Sequence, residues 1–97
     1  MIRRDGDRMF VSGSVTLQNV TGILNEGLDC VRNGVSTVDL SEVSGLDSSL
    51  LAALLAWIRE ARAADRGIVV ANLPRGLTTL AQLYGVEELL PVADSLH

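Results

Sequence analysis

The chain of 97 residues predicts an α/β protein: a mixed β-sheet carrying its helices mainly on one face, in the order β-β-α-β-α-β-α with a possible last strand. Two observations carry this expectation. Short runs biased to β-branched residues alternate with longer stretches whose apolar residues recur at helical spacing, the pattern of strands joined by crossover helices. In addition, 47% of the residues are apolar but only 3% are aromatic, so Leu, Val, Ile and Ala must build the core. No internal repeat, low-complexity tract or linker-like segment divides the sequence, and residues 1–97 are expected to form one domain.

Ile2 to Arg4 and Met9 to Val15 flank the turn signal Asp5-Gly6-Asp7 and predict a hairpin. From Val20, the residues Ile23, Leu24, Gly27, Leu28 and Val31 share one face of an amphipathic helix, which Asn33-Gly34 closes. Val35 to Leu40 alternates and predicts a central strand, and Ser41 to Leu46 is expected to be a connecting loop.

The second helix should start at Asp47 or Ser48, whose side-chain oxygens can accept from the free N–H groups of a first turn, and run through Ala64. Leu51, Leu54, Leu55, Ile58 and Ala61 form its inner stripe, Leu50 and Trp57 fall beside that stripe, and Arg66-Gly67 ends it. Ile68 to Ala71 is a continuous apolar run, as in a strand covered on both faces. Pro74 opens a third helix with Leu77, Leu80, Ala81 and Tyr84 on one face and Gly85 as terminator. The tail beyond Val86 is expected to add a short turn and strand.

Composition and motif inventory exclude several functions. A net charge of −4 with scattered basic residues would repel a phosphate backbone, so nucleic acid is not an expected partner. No stretch reaches the roughly 18 apolar residues of a membrane span, and no apolar run follows Arg3-Arg4, so the expected location is cytoplasmic. Cys30 is the one cysteine and His97 the one histidine, so neither a disulfide, a Cys/His metal cluster nor a serine triad can be assembled. The nine glycines form neither phosphate-binding loop pattern, and no cofactor is expected.

The remaining chemical signal is the junction Leu46-Asp47-Ser48-Ser49-Leu50. Two hydroxyls follow an acid at a helix N-terminus, where unsatisfied N–H groups and the helix dipole tolerate added negative charge, including a phosphate on Ser48. Such a charge would alter any protein surface docked there.

Val38-Asp39-Leu40 followed by Leu46-Asp47-Ser48-Ser49 resembles the signature of STAS domains, the fold of bacterial anti-sigma factor antagonists and sulfate-transporter tails. In the antagonists the hydroxyl residue after that Asp is phosphorylated by a partner kinase, a role that falls by match on Ser48. Those proteins usually carry Gly where this chain has Leu50. The run from Leu77 to Pro91, with its Thr79-Leu80-Ala81-Gln82-Leu83-Tyr84 core, is similar to the third helix and tail of the MlaB-like subfamily. That resemblance implies a non-catalytic subunit bound to the ATPase of an ABC-type phospholipid transporter that maintains outer-membrane lipid asymmetry, peripheral at the inner membrane through its complex.

The partner-binding residues expected on this basis are Asp47, Ser48, Ser49, Leu50 and Tyr84, with Ser48 the possible phosphorylation site. Trp57 has two readings, burial in its own domain or a surface anchor. The alternative partner is an anti-sigma factor kinase, in which case phosphorylation of Ser48 acts as the switch.

Overall fold

The computed structural model describes residues 1–93. Its elements are β1 (Ile2–Asp5), β2 (Arg8–Val15), α1 (Val20–Arg32), β3 (Thr37–Leu46), α2 (Ser48–Ala63), β4 (Val69–Ala71) and α3 (Arg75–Leu83), followed by a 3-10 turn at Glu87–Leu89. The four strands form one sheet in the order β1-β2-β3-β4, antiparallel between β1 and β2 and parallel thereafter. Successive parallel strands are added in one direction, so right-handed crossovers set α1 and α2 on the same face. The predicted element order is therefore the observed one.

Register separates the two faces. Met9, Val11, Val38, Leu40 and Val70 point toward the helices and are essentially inaccessible to solvent. Arg3, Phe10 and Asp39 align across the opposite face, where Arg3 lies over the Phe10 ring at 4.4 Å and pairs with Glu42. This alternation gives β2 and β3 an apolar covered side, while their open side carries Arg8, Phe10 and Asp39.

Ser41 to Leu46 is strand rather than loop. The second half of β2 continues the ladder, pairing Ser12 with Glu42, Gly13 with Val43, Ser14 with Gly45 and Val15 with Leu46. Two register shifts interrupt it, between Phe10 and Ser12 and between Gly13 and Ser14. Each shift moves later side chains relative to the pleat, which erases the period-two pattern from the sequence.

α2 also differs from the expected single stripe. Leu50, Leu51, Ala53, Leu54, Trp57, Ile58 and Ala61 are all buried, while Leu55 is only half-buried. The helix lies between α1 and α3 as well as on the sheet, so its covered arc is wider than one face. Leu50 and Trp57, expected beside the stripe, are completely buried, and the indole N–H of Trp57 donates to the Leu24 carbonyl at 3.0 Å.

The helix ends are set by local chemistry. Gly34 takes φ +104° after α1, as Asn33-Gly34 predicts, and Gly85 takes φ +71° after α3. At the end of α2 the left-handed residue is Asp65, and the Arg66 N–H returns to the Ala61 carbonyl at 2.9 Å. The Arg66 guanidinium also donates to the carbonyls of Val31 and Arg32, satisfying the last turn of α1. Beyond the 3-10 turn, the expected last strand is reduced to one parallel bridge between Val92 and Val70. The rest of that expected strand, with His97, lies outside the described residues.

Candidate functional site

Asp47 is the first residue out of β3 and the N-cap of α2. Its backbone is extended, and its Oδ1 accepts the Ser49 N–H at 2.8 Å, satisfying one of the free donors of the first helical turn. Oδ2 accepts the Leu17 N–H at 3.1 Å, so the same carboxylate ties the β2–α1 loop to the helix start. The Ser49 and Leu17 N–H groups hold the Asp47 carboxyl below its ordinary range.

Ser48 is exposed on the first turn, and Ser49 is half-buried. Among the described residues, the Ser48 hydroxyl has no hydrogen-bond partner within the chain, so it is presented to solvent at the positive end of α2. Leu17, whose N–H bonds the Asp47 carboxylate, has 78% of its surface exposed. α3 starts close by: a methyl group added at Gly76 would reach ordinary contact, 3.9 Å, with Leu46 Cδ1.

Asp47, Ser48 and Ser49 lie at the start of α2, next to the Leu17 backbone and the start of α3. Leu50 turns inward, because the position two residues after Ser48 faces the core, and it offers no side chain to a docked surface. Tyr84 is exposed, but it stands at the other end of α3, about 12 Å along the axis from Gly76. It belongs to a different part of the surface from Ser48.

Sequence reasoning overlooked Leu17, whose signal is an apolar residue amid Thr16, Gln18 and Asn19, outside any periodic stripe. It also passed over the environment of Asp39. This carboxylate is 3% exposed and accepts from the Ser41 N–H at 2.8 Å, Asn72 Nδ2 at 3.1 Å and the Arg8 guanidinium. Burial pushes its pKa up, but the bonds from Ser41, Asn72 and Arg8 outweigh burial and hold it below the ordinary value. Asn72 adopts φ +58° as it donates to Asp39. Burial raises the Cys30 thiol above its ordinary pKa, which disfavours the reactive thiolate.

No group of three or more potential metal ligands occurs among the described residues, and no helix there is long and apolar enough to cross a membrane. What the geometry defines is an α/β module that displays a capped, hydroxyl-bearing helix start beside an exposed leucine. Residues 2–91 match the family described as "Mlab, STAS domain". The chain belongs to the STAS family.

Solved structures show the same fold. The anti-sigma factor antagonist SpoIIAA in its unphosphorylated form matches with a TM-score of 0.70 at 17% identity, covering 99% of this chain and 89% of that one. The phosphorylated form of the Bacillus cell fate determinant SpoIIAA gives 0.67 at 17% identity, with 99% and 92% covered. A putative anti-sigma factor antagonist from Thermotoga maritima gives 0.74 at 12% identity, with 99% and 86% covered. No curated protein gave a significant match.

Proposed function

We propose that the chain is a non-catalytic subunit that binds the cytoplasmic ATPase of an ABC-type phospholipid transporter and stabilises or regulates it. The complex would serve outer-membrane lipid asymmetry, with this subunit cytoplasmic and peripheral at the inner membrane. The observation that carries the reading is the exposed Ser48 at a capped helix start, beside exposed Leu17, in a chain matching a family described by the name Mlab. Asp47 and Ser49 shape this surface, Ser48 and Leu17 touch the ATPase, and Tyr84 is a separate contact at the far end of α3.

The mechanism is differential affinity. A module that binds the assembled or nucleotide-closed ATPase more tightly than the open one shifts that equilibrium by the difference in binding free energy. It needs no cofactor and no chemistry of its own. Nucleic acid has no place in it, since the chain carries net charge −4.

A second reading, an anti-sigma factor antagonist switched by phosphorylation of Ser48, is favoured by the unpartnered hydroxyl at the helix N-terminus and the likeness to SpoIIAA. Affinity purification of the tagged chain from its native host, with mass spectrometry of the bound proteins, separates the two. An ABC ATPase with its permease supports the transporter reading. A kinase-like anti-sigma factor together with phosphate on Ser48 supports the switch and overturns the first.

A further inference from the structure

At the other end of α2 from Ser48, a groove of about 190 Å3 runs between the helix and the 3-10 turn. Leu55, Ile58 and Leu89 form its apolar lining, and Arg59 and Arg62 stand on the α2 side. Leu89 keeps 46% of its surface exposed, although it is a large aliphatic residue beside the core residue Ile58. Both arginines are exposed, and among the described residues neither forms an ion pair, whereas Arg3, Arg8 and Arg32 each have a carboxylate partner. Of the nearby acids, Glu60 pairs with Arg32 and Glu87 accepts from Gln82 at 3.1 Å, while Glu88, exposed beside Leu89, pairs with neither arginine.

We propose that this groove is a docking site for an acidic peptide segment of a partner protein, one apolar side chain entering between Leu55, Ile58 and Leu89 while flanking carboxylates meet Arg59 and Arg62. The charge pattern selects the occupant. Two unpaired guanidiniums beside an apolar floor in a protein of net charge −4 form a local cationic site, and arginine matches carboxylate geometry in a bidentate manner. Size points the same way: the groove is below the roughly 300–1,000 Å3 of small-molecule sites and suits a single side chain. Arg59 lies 11 residues beyond Ser48, about 16 Å along the helix, so this contact is separate from the one around Asp47. The inference extends the partner-binding reading, but its test requires no partner, so either can fail alone.

The test is a titration of the isotope-labelled full chain, followed by amide chemical shifts. Three probes are used: an acetylated pentapeptide with one leucine between two pairs of glutamates, the same peptide with lysines for glutamates, and vesicles containing phosphatidylglycerol. The expected result is saturable shifts at Leu55, Arg59, Arg62 and Leu89 with the glutamate peptide alone, weakening as salt is raised. The paired substitution R59E/R62E should reduce affinity at least tenfold, and the milder R59Q/R62Q several-fold, with thermal melting unchanged. No shifts at millimolar peptide, equal binding of the lysine peptide, or binding of vesicles in place of the peptide would each overturn the proposal.

Discussion

The indole of Trp57 occupies the space into which a side chain at Gly27 would project. A Cβ built at Gly27 would collide with the Trp57 ring, and the indole N–H reaches past it to the Leu24 carbonyl on the same helix. This close approach lets α1 lie directly against α2, the most extensive helix–helix contact in the fold. Sequence alone places Gly27 on the apolar face of α1; the structure shows that its missing side chain is filled by the partner helix.

Gly27→Ala should therefore destabilise the domain by about 1–3 kcal/mol through overpacking, although alanine is the better helix former. Trp57→Phe removes the hydrogen bond and part of the ring. The double variant should lose less than the sum of the two single losses, because the smaller ring makes room for the added methyl. Denaturant melts of all four proteins measure the coupling, and strict additivity would contradict the described contact.

Asp39→Asn should cost about 1–3 kcal/mol at neutral pH, since the hydrogen bonds to a charged acceptor are weakened. The Arg8 part of that loss is damped, because the Arg8 side chain is 41% exposed. The folded state holds the Asp39 carboxyl below its unfolded value, so its contribution is complete above the unfolded pKa and disappears as pH falls through the folded one. Unfolding free energy against pH should fall less steeply at acid pH in the variant than in the parent.

Asp47→Ala should lower the melting temperature and speed amide exchange at both Ser49 and Leu17, the two N–H groups its carboxylate holds. Asp47→Asn should retain most of the protection, because an amide oxygen can still accept. The Asp47 carboxyl is also held below its ordinary value, so the stability that its charge adds is full above the unfolded pKa and lost as pH falls through the folded one. Slow exchange at Leu17 in the alanine variant would show that the loop is held by other contacts.

Leu54→Ala should cost about 2–5 kcal/mol, as a truncation at a site with no solvent exposure. Leu55→Ala should cost well under half of that, since Leu55 is half-buried and lines the groove beside Arg59. Chemical denaturation of the pair distinguishes the observed arc of α2 from the stripe its spacing predicts, in which both leucines would be equally buried.

Much of the architecture was legible because the local signals agree with the fold. The apolar spacing from Ile23 to Val31, the Asn33-Gly34 stop and the Asp47 cap each describe a structure formed within a few residues. What escaped depends on contacts distant in sequence. The second half of β3 is strand because Ser12 to Val15 pair with it through two register shifts, and polar Ser41, Glu42 and Ser44 give no sign of that. Leu50 and Trp57 are buried because α1 and α3 flank α2, a fact about neighbouring helices. Within the candidate site, the positions of Asp47 and Ser48 were readable, whereas the bond from Leu17 to Asp47 across 30 residues was not.

The most direct test is to measure binding of the purified chain and its Ser48→Asp variant to the ATPase of the proposed transporter, with melting curves for both. Ser48 is exposed at a helix N-terminus, so the added carboxylate should leave the melting temperature within about a degree or two while changing the docking surface. The expected result is a complex with the parental chain and at least a tenfold loss of affinity in the variant. Equal affinity of the two proteins, or no complex with either, would contradict it.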